Sequence, residues 1–339
     1  MAGPGTWAEQ AERARQIEQA AISGMLFTET SEVPWMKIAA AAAAAPSLHF
    51  CTGIAVAFPR SPMVSAAIAW ELAGNTGGRF RLGLGSQVKG HIVRRYSAEY
   101  ASPAARLRDY VAAVKACFRA FRGEERLAYD GDFFSLSYLP PAWAPPRHDF
   151  GHVPVDISAV GPVMTRVAGE IADGVHVHPL HSTNYITTRL LPGVADGAAR
   201  ANRDPAEIDL IIPVFAAPGD TPEQRAPLVE RAKSQIAFYG STPNYAYQFD
   251  DLGFDGTTER LNRLMRAGDM EAMADTITDE MLEHFAVVCP WDELADRLID
   301  RYRGIATRLV MYLADESIRR EPGMIDRWGE VAKTLRAAE

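Results

Sequence analysis

The chain has 339 residues, of which 47% are hydrophobic and 23% charged, enough apolar material for a large core and too much for a disordered polymer. A net charge of -8 and a pI near 5.6 set it against a phosphate backbone, so no nucleic-acid partner is expected. Cys51, Cys117 and Cys289 are spaced for neither a disulfide framework nor a metal site, no run approaches the ~20 apolar residues of a membrane span, and "MAGPGTWAEQAERARQ" lacks the pattern of a secretory signal. A cytoplasmic location without membrane contact is expected.

In chain order, helix-spaced segments alternate with short apolar runs. "WAEQAERARQIEQAA" precedes "GMLFT", the alanine-rich helix around 39–45 precedes "LHFCTGIAVAF", and "SPMVSAAIAWELAG" precedes "RFRLGLG". "PAARLRDYVAAVKACFRAF" then leads to "VPVDISA", "VMTRVAGEIA" to "DGVHVHP", a helix around 185–202 to "IDLIIPVFAA", and "WDELADRLIDRYRG" to "RLVMYLA". Apolar runs of this length between amphipathic helices predict parallel strands buried on both faces. Seven are visible, one short of a (βα)8 TIM barrel, which commonly occupies a chain of this length as a single domain. Two insertions interrupt the alternation, at about 124–153 and about 240–284, and insertions at strand C-termini shape the pocket of such a barrel.

Residues just beyond the strand ends are therefore the candidates for chemistry. In "RFRLGLGSQVKGHIVRRY", Gly83 and Gly85 permit close backbone approach, Ser86 and Gln87 offer hydrogen bonds, and His91 follows. The third glycine of a dinucleotide fingerprint is missing, and Lys89, Arg94 and Arg95 read equally well as solvated. In "ISAVGPVMTRVAGE" the Gly161-Pro162 turn opens a helix whose free N–H groups and dipole suit an anion, most naturally a phosphate, although every strand-to-helix junction shares that shape. "FTETSEVPW" offers Glu29 and Glu32 beside Trp35, either as proton donor and acceptor or as solvated carboxylates. His176 and His178 share a strand face, with His181 beyond. Without the fixed third ligand of a zinc site no metal is expected, and His178 reads as a pocket-lining or packed residue. A serine triad is set aside because no Gly-x-Ser-x-Gly elbow is present.

The segments "CTGIAVAFPRSP", "GRFRLGLGSQVKGHIVRRY", "SAVGPVMTRVAGEIADGVHVHP", "QIAFYGSTPNY" and "MLEHFAVV", in that order, resemble the bacterial-luciferase-like flavin and deazaflavin oxidoreductases, above all the branch that uses the deazaflavin coenzyme F-420. The likeness runs from about residue 7 to residue 314. It implies a luciferase-like barrel in which Thr52, Gly53, Ile54 and Ala55 form a bulge with a cis Gly53–Ile54 bond behind the deazaflavin ring. Ser86, Gln87 and His91 would line the ring or its polar edge, with His178 as a further cofactor-binding residue. Ala159, Val160, Gly161, Pro162 and Met164 would hold the cofactor phosphate, and Pro34-Trp35 would flank the reacting face. The histidine and glutamate that better-known members carry after the second and fourth strands are replaced here by Thr30-Ser31-Glu32 and Gln87-Val88-Lys89. Glu32, Glu29 and His91, with Trp35, therefore stand as the catalytic candidates. The family's first strand is also missing, since "MAGPGT" is too short and too rich in Gly and Pro to supply it. The implied activity is hydride transfer between F-420 and a small organic substrate, by a homodimer. The alternatives are an FMN-dependent monooxygenase using oxygen, and a noncatalytic barrel subunit that has lost its cofactor. All of this requires the Gly161 turn and the kink at Ile54 to share one end of the barrel.

Overall fold

Alternation along each strand decides which side chains meet the surrounding helices and which fill the barrel. In the computed structural model, which describes residues 1–150 and 152–338, Phe80, Leu82 and Leu84 are completely buried in the layer shared with the helices. The intervening Arg81, Gly83 and Gly85 face the interior, where they meet Asp156, His176 and Ser158.

The strands in chain order are β1 (Gly24–Phe27), β2 (His49–Thr52), β3 (Ala55–Val56), β4 (Phe80–Gly85), β5 (Tyr129–Asp130), β6 (Ser135–Leu136), β7 (Val155–Ser158), β8 (Gly174–His176), β9 (Asp209–Pro218), β10 (Ala286–Cys289) and β11 (Arg308–Met311). They are ordered β1-β2-β4-β7-β8-β9 around the barrel, each parallel to the next, and β3 continues β2 alongside β4. β11 runs parallel to Ile211–Val214 of β9, and β10 to Phe215–Pro218 of the same strand. All seven runs read as strands in the sequence are present. β10 is an addition that the sequence reading did not contain, and β5 and β6 form an antiparallel hairpin within the first insertion.

No strand precedes β1 among the described residues, as "MAGPGT" implied. The opening segment nevertheless ties the two flanking strands together. The Met1 ammonium donates to the Met311 carbonyl at 2.9 Å and the Ala2 N–H to the Leu26 carbonyl at 2.9 Å, while Gln10 Nε2 donates to the Gly3 carbonyl at 3.0 Å. Two backbone bonds thus stand where relatives are expected to place a strand, and they reduce the exposed edge that a gap would leave. The helix that follows, Trp7–Gln19, starts on a Thr6–Glu9 capping box and packs on helix Trp35–Ala44, where Ala14 and Ala41 are completely buried.

Below the mouth, the interior holds a charged network. Arg81 donates from Nε to Asp156 Oδ2 at 2.9 Å and from Nη2 to Oδ1 at 2.7 Å, and its Nη1 lies 2.7 Å from Asp209 Oδ2. Burial raises the Asp156 carboxyl, but His176 and Arg81 beside it more than compensate and hold it below the usual carboxylate range. His176 Nε2 stands 3.6 Å from Asp156 Oδ2, so its contribution is electrostatic.

A candidate active site at the barrel mouth

The C-terminal ends of β2, β3, β4, β7 and β8 converge on one end of the barrel. The Gly53–Ile54 peptide is cis. Its surroundings hold both flanking carbonyls, since Thr28 Oγ1 donates to the Gly53 carbonyl at 2.9 Å and the Glu29 N–H to the Ile54 carbonyl at 3.1 Å. Glu29 also accepts from the Val56 N–H at 2.8 Å and from Arg60 Nη1 and Nη2 at 2.8 and 2.6 Å, and Arg60 Nη1 donates on to the Val56 carbonyl. Both carboxylate oxygens of Glu29 are taken and its side chain is only 1% exposed, so it ties the chain at Val56 to Arg60.

The floor of the mouth is Gly85. A Cβ there would lie 2.7 Å from Ile54 Cδ1 and 2.7 Å from Ser158 Oγ, so these two side chains meet over a position that only glycine leaves open. Ser158 ends β7, three residues before Gly161. The kink at Ile54 and the turn at Gly161 therefore flank β4 at the same end of the barrel.

The turn at Gly161 is fixed from behind. Ala159 is completely buried, and the Val160 carbonyl accepts from Tyr185 Oη at 2.6 Å and from Tyr247 Oη at 3.2 Å. Among the described residues, helix Pro162–Ile171 has no side-chain cap, its first turn carries no acidic residue, and nothing lies within 4 Å of where a Gly161 Cβ would sit. The N–H groups of Val163 and Met164 are thus offered to an anion in open space.

The remaining candidates divide. Ser86 is half-buried beside Tyr100, whose phenol burial pushes up and Ser86 draws back. Gln87 adopts φ 56° and accepts the Val88 N–H at 2.9 Å with its own carbonyl oxygen, which leaves its amide nitrogen for a ligand. Trp35 is 8% exposed, lies with the Arg60 guanidinium 5.6 Å from its ring centroid, and has no partner for its indole N–H among the described residues. Glu32 is exposed and ion-paired with Lys37, whose side chain is largely buried. His91 opens one turn of π-helix, His91–Arg95, with its side chain exposed and no ion pair or ring contact among the described residues. Glu32 and His91 thus both lie on exposed loop or helix-start positions beyond strand ends.

His176 and His178 are separated by their surroundings, the first directed at Asp156 and the second at tyrosines. The His178 ring lies 4.8 Å from the rings of Tyr239 and Tyr245, and its Nδ1 accepts the Leu180 N–H at 3.0 Å. Burial first, then His181, pushes His178 down to about 4, so it is neutral at pH 7. Tyr239 Oη pairs with Tyr312 Oη at 2.7 Å, and Tyr312 lies against Phe215. Burial and then Tyr100 push Tyr245 up. Sequence reasoning missed Arg60, Tyr100 and this tyrosine cluster. The available signal was "YGSTPNYAY", in which Tyr239, Tyr245 and Tyr247 crowd a segment already assigned to pocket shaping. Two clefts of about 210 Å³ open on the outside of the barrel, one beside Arg108, Arg166 and Arg200 and the other beside Trp291, and neither is lined by Ile54, Ser86 or His178.

A family model described as luciferase-like monooxygenase matches residues 1–308. An uncharacterized protein of Mycobacterium tuberculosis is 36% identical over 307 residues, 91% of this chain and 90% of that protein. A 5,10-methylenetetrahydromethanopterin reductase of Archaeoglobus fulgidus is 24% identical over 262 residues, 76% of this chain and 74% of the other. Among solved structures, the coenzyme F-420-dependent tetrahydromethanopterin reductase of Methanopyrus kandleri superposes with a TM-score of 0.77 at 19% identity, covering 96% of this chain and 94% of that one. The chain belongs to the luciferase-like monooxygenase family.

Proposed function

We propose that the protein is an F-420-dependent oxidoreductase that transfers hydride between the deazaflavin and a small organic substrate. The observation that carries this reading is the placement of the cis Gly53–Ile54 platform and the uncapped Gly161 helix on either side of Gly85 at one barrel end. The residues fit a phosphorylated tricyclic group, because the open space at Gly161 and the free N–H groups suit its phosphate and the unpartnered Trp35 N–H offers a further donor. When bound, the cofactor supplies the hydride chemistry.

The chain's own residues hold and orient. Ile54 would back the ring, Ser86 and the Gln87 amide would meet its polar edge, and the Val163 and Met164 N–H groups would hold the phosphate. Tyr185 and Tyr247 keep the phosphate loop in register through Val160, while Glu29 and Arg60 keep the platform from moving. Such positioning converts an encounter into a near-unimolecular step. A homodimer in the cytoplasm acting on a small molecule completes the proposal, and elution mass in solution tests the dimer.

The second reading, an FMN-dependent monooxygenase, is favoured by the description of the matching family. Titrating the purified protein with F-420 and with FMN separates the two. Tight binding of F-420 with weak FMN binding supports the proposal, the reverse supports the oxygenase, and uptake of neither supports a noncatalytic barrel.

A further inference from the structure

The barrel mouth contains one imidazole whose protonation is fixed by its neighbours. His178 follows β8, and its Nδ1 lone pair is occupied by the Leu180 N–H at 3.0 Å, so the ring proton resides on Nε2. Nε2 has no hydrogen-bond partner among the described residues and is not sealed from solvent, because His178 is only half-buried. Tyr239 and Tyr245 flank the ring at 4.8 Å each, one edge-on at 82° and one tilted at 58°. Tyr239 Oη is committed to Tyr312.

Charging the imidazole would place a second proton on Nδ1, against the Leu180 N–H that already points there. The ionisable groups around the ring, His181, Tyr239 and Tyr245, offer no compensating anion, since burial pushes His181 down and both phenols up. His178 is therefore unsuited to giving or taking a proton and suited to donating one hydrogen bond, and the aromatic walls favour a flat, weakly polar molecule.

Resting on the hydride-transfer reading above, we propose that His178 is the residue that selects and activates the substrate, its Nε2–H donating to the carbonyl oxygen of a planar α,β-unsaturated or aryl carbonyl compound held against Tyr239 and Tyr245. In the reduction of an enone, the hydride supplied by the reduced deazaflavin adds to the β-carbon and the C=C π electrons move to the carbonyl oxygen. The enolate oxygen meets the Nε2–H as charge develops there. A proton from solvent then adds at the α-carbon to give the saturated ketone, the deazaflavin is left oxidised, and His178 keeps its own proton throughout.

The test uses the full chain labelled with ¹⁵N-histidine, with and without F-420, and the probes cyclohex-2-enone and acetophenone, with cyclohexene as the ring lacking an acceptor. The assignment predicts one histidine with an unprotonated Nδ1 and a protonated Nε2 whose signals stay constant from pH 6 to pH 8, a range lying above the value of about 4. The carbonyl probes shift its Nε2–H resonance and cyclohexene does not. His178→Gln, which keeps a donor, retains probe affinity within about threefold, whereas His178→Phe, which keeps a ring without a donor, loses about tenfold, in line with one buried hydrogen bond. Equal affinity in His178→Phe, titration of His178 between pH 6 and pH 8, or no response to either carbonyl probe would overturn it. Should the probes shift His178 while F-420 fails to bind, the carbonyl site stands and the cofactor reading is what falls.

Discussion

Substituting Gly85 by alanine probes the mouth where Ile54 and Ser158 converge. The added Cβ would stand 2.7 Å from Ile54 Cδ1 and from Ser158 Oγ, and ordinary contact begins near 3.4 Å, so each side chain must retreat by about 0.7 Å. Both obstacles are side-chain ends, which have room to rotate, so the expected stability loss is that of modest overpacking, about 1–3 kcal/mol. The displaced Ile54 then stands where the cofactor ring is to lie, and affinity falls by at least about tenfold, equivalent to about 1.4 kcal/mol. Gly83→Ala is the control of opposite character. Its Cβ would meet the Thr52 carbonyl at 1.9 Å and His176 Nε2 at 2.5 Å, and a backbone atom held in the sheet cannot yield, so this variant loses the fold. Urea unfolding read by circular dichroism, followed by F-420 titration of whichever variant folds, measures both effects. A Gly85→Ala protein that folds and binds F-420 as the wild type does would refute the placement of the ring over Gly85.

Glu29→Gln leaves Arg60, only 15% exposed, without its anion and costs about 3 kcal/mol in urea unfolding. Restoring little of that loss with Glu29→Asp would confirm that geometry as well as charge is needed. Asp156 is held below the ordinary carboxylate range in the folded state, so its stabilisation is complete above about pH 4 and is lost as pH falls through the native value. Asp156→Asn therefore lowers stability by about 3 kcal/mol at pH 7 and flattens the acid limb of the stability profile. Tyr185→Phe and Tyr247→Phe each remove one donor to the Val160 carbonyl, at about 1 kcal/mol apiece. The double variant weakens binding of phosphorylated cofactor several-fold while leaving the barrel folded, as calorimetric titration would show.

The strands were legible because buried parallel strands leave continuous apolar runs, as in "VPVDISA" and "IDLIIPVFAA". β10 escaped because Ala286–Cys289 is a four-residue apolar run joined directly to helix Asp279–Phe285, and periodicity over so few residues separates neither state. At the mouth, residue type and strand-end position identified Glu29, but its role depends on Arg60, 31 residues away, which no local pattern links to it. The exposure of Glu32 and His91 was not legible for a related reason, because a loop side chain a few residues beyond a strand end is free to turn to solvent. The bond at Gly53–Ile54 and the candidacy of Val160 followed from family likeness, but the two hydroxyls that hold the Val160 carbonyl could not be read, since Tyr185 and Tyr247 come from two later segments.

The central claim is that one barrel end grips a phosphorylated tricyclic cofactor between the Ile54 platform and the Gly161 helix. A crystal structure of the protein soaked with F-420 tests it most directly. The ring is expected to stack on Ile54 above Gly85, with a phosphate oxygen within hydrogen-bond distance of the Val163 and Met164 N–H groups. A cofactor bound instead in the outer cleft beside Arg108, Arg166 and Arg200 would contradict it.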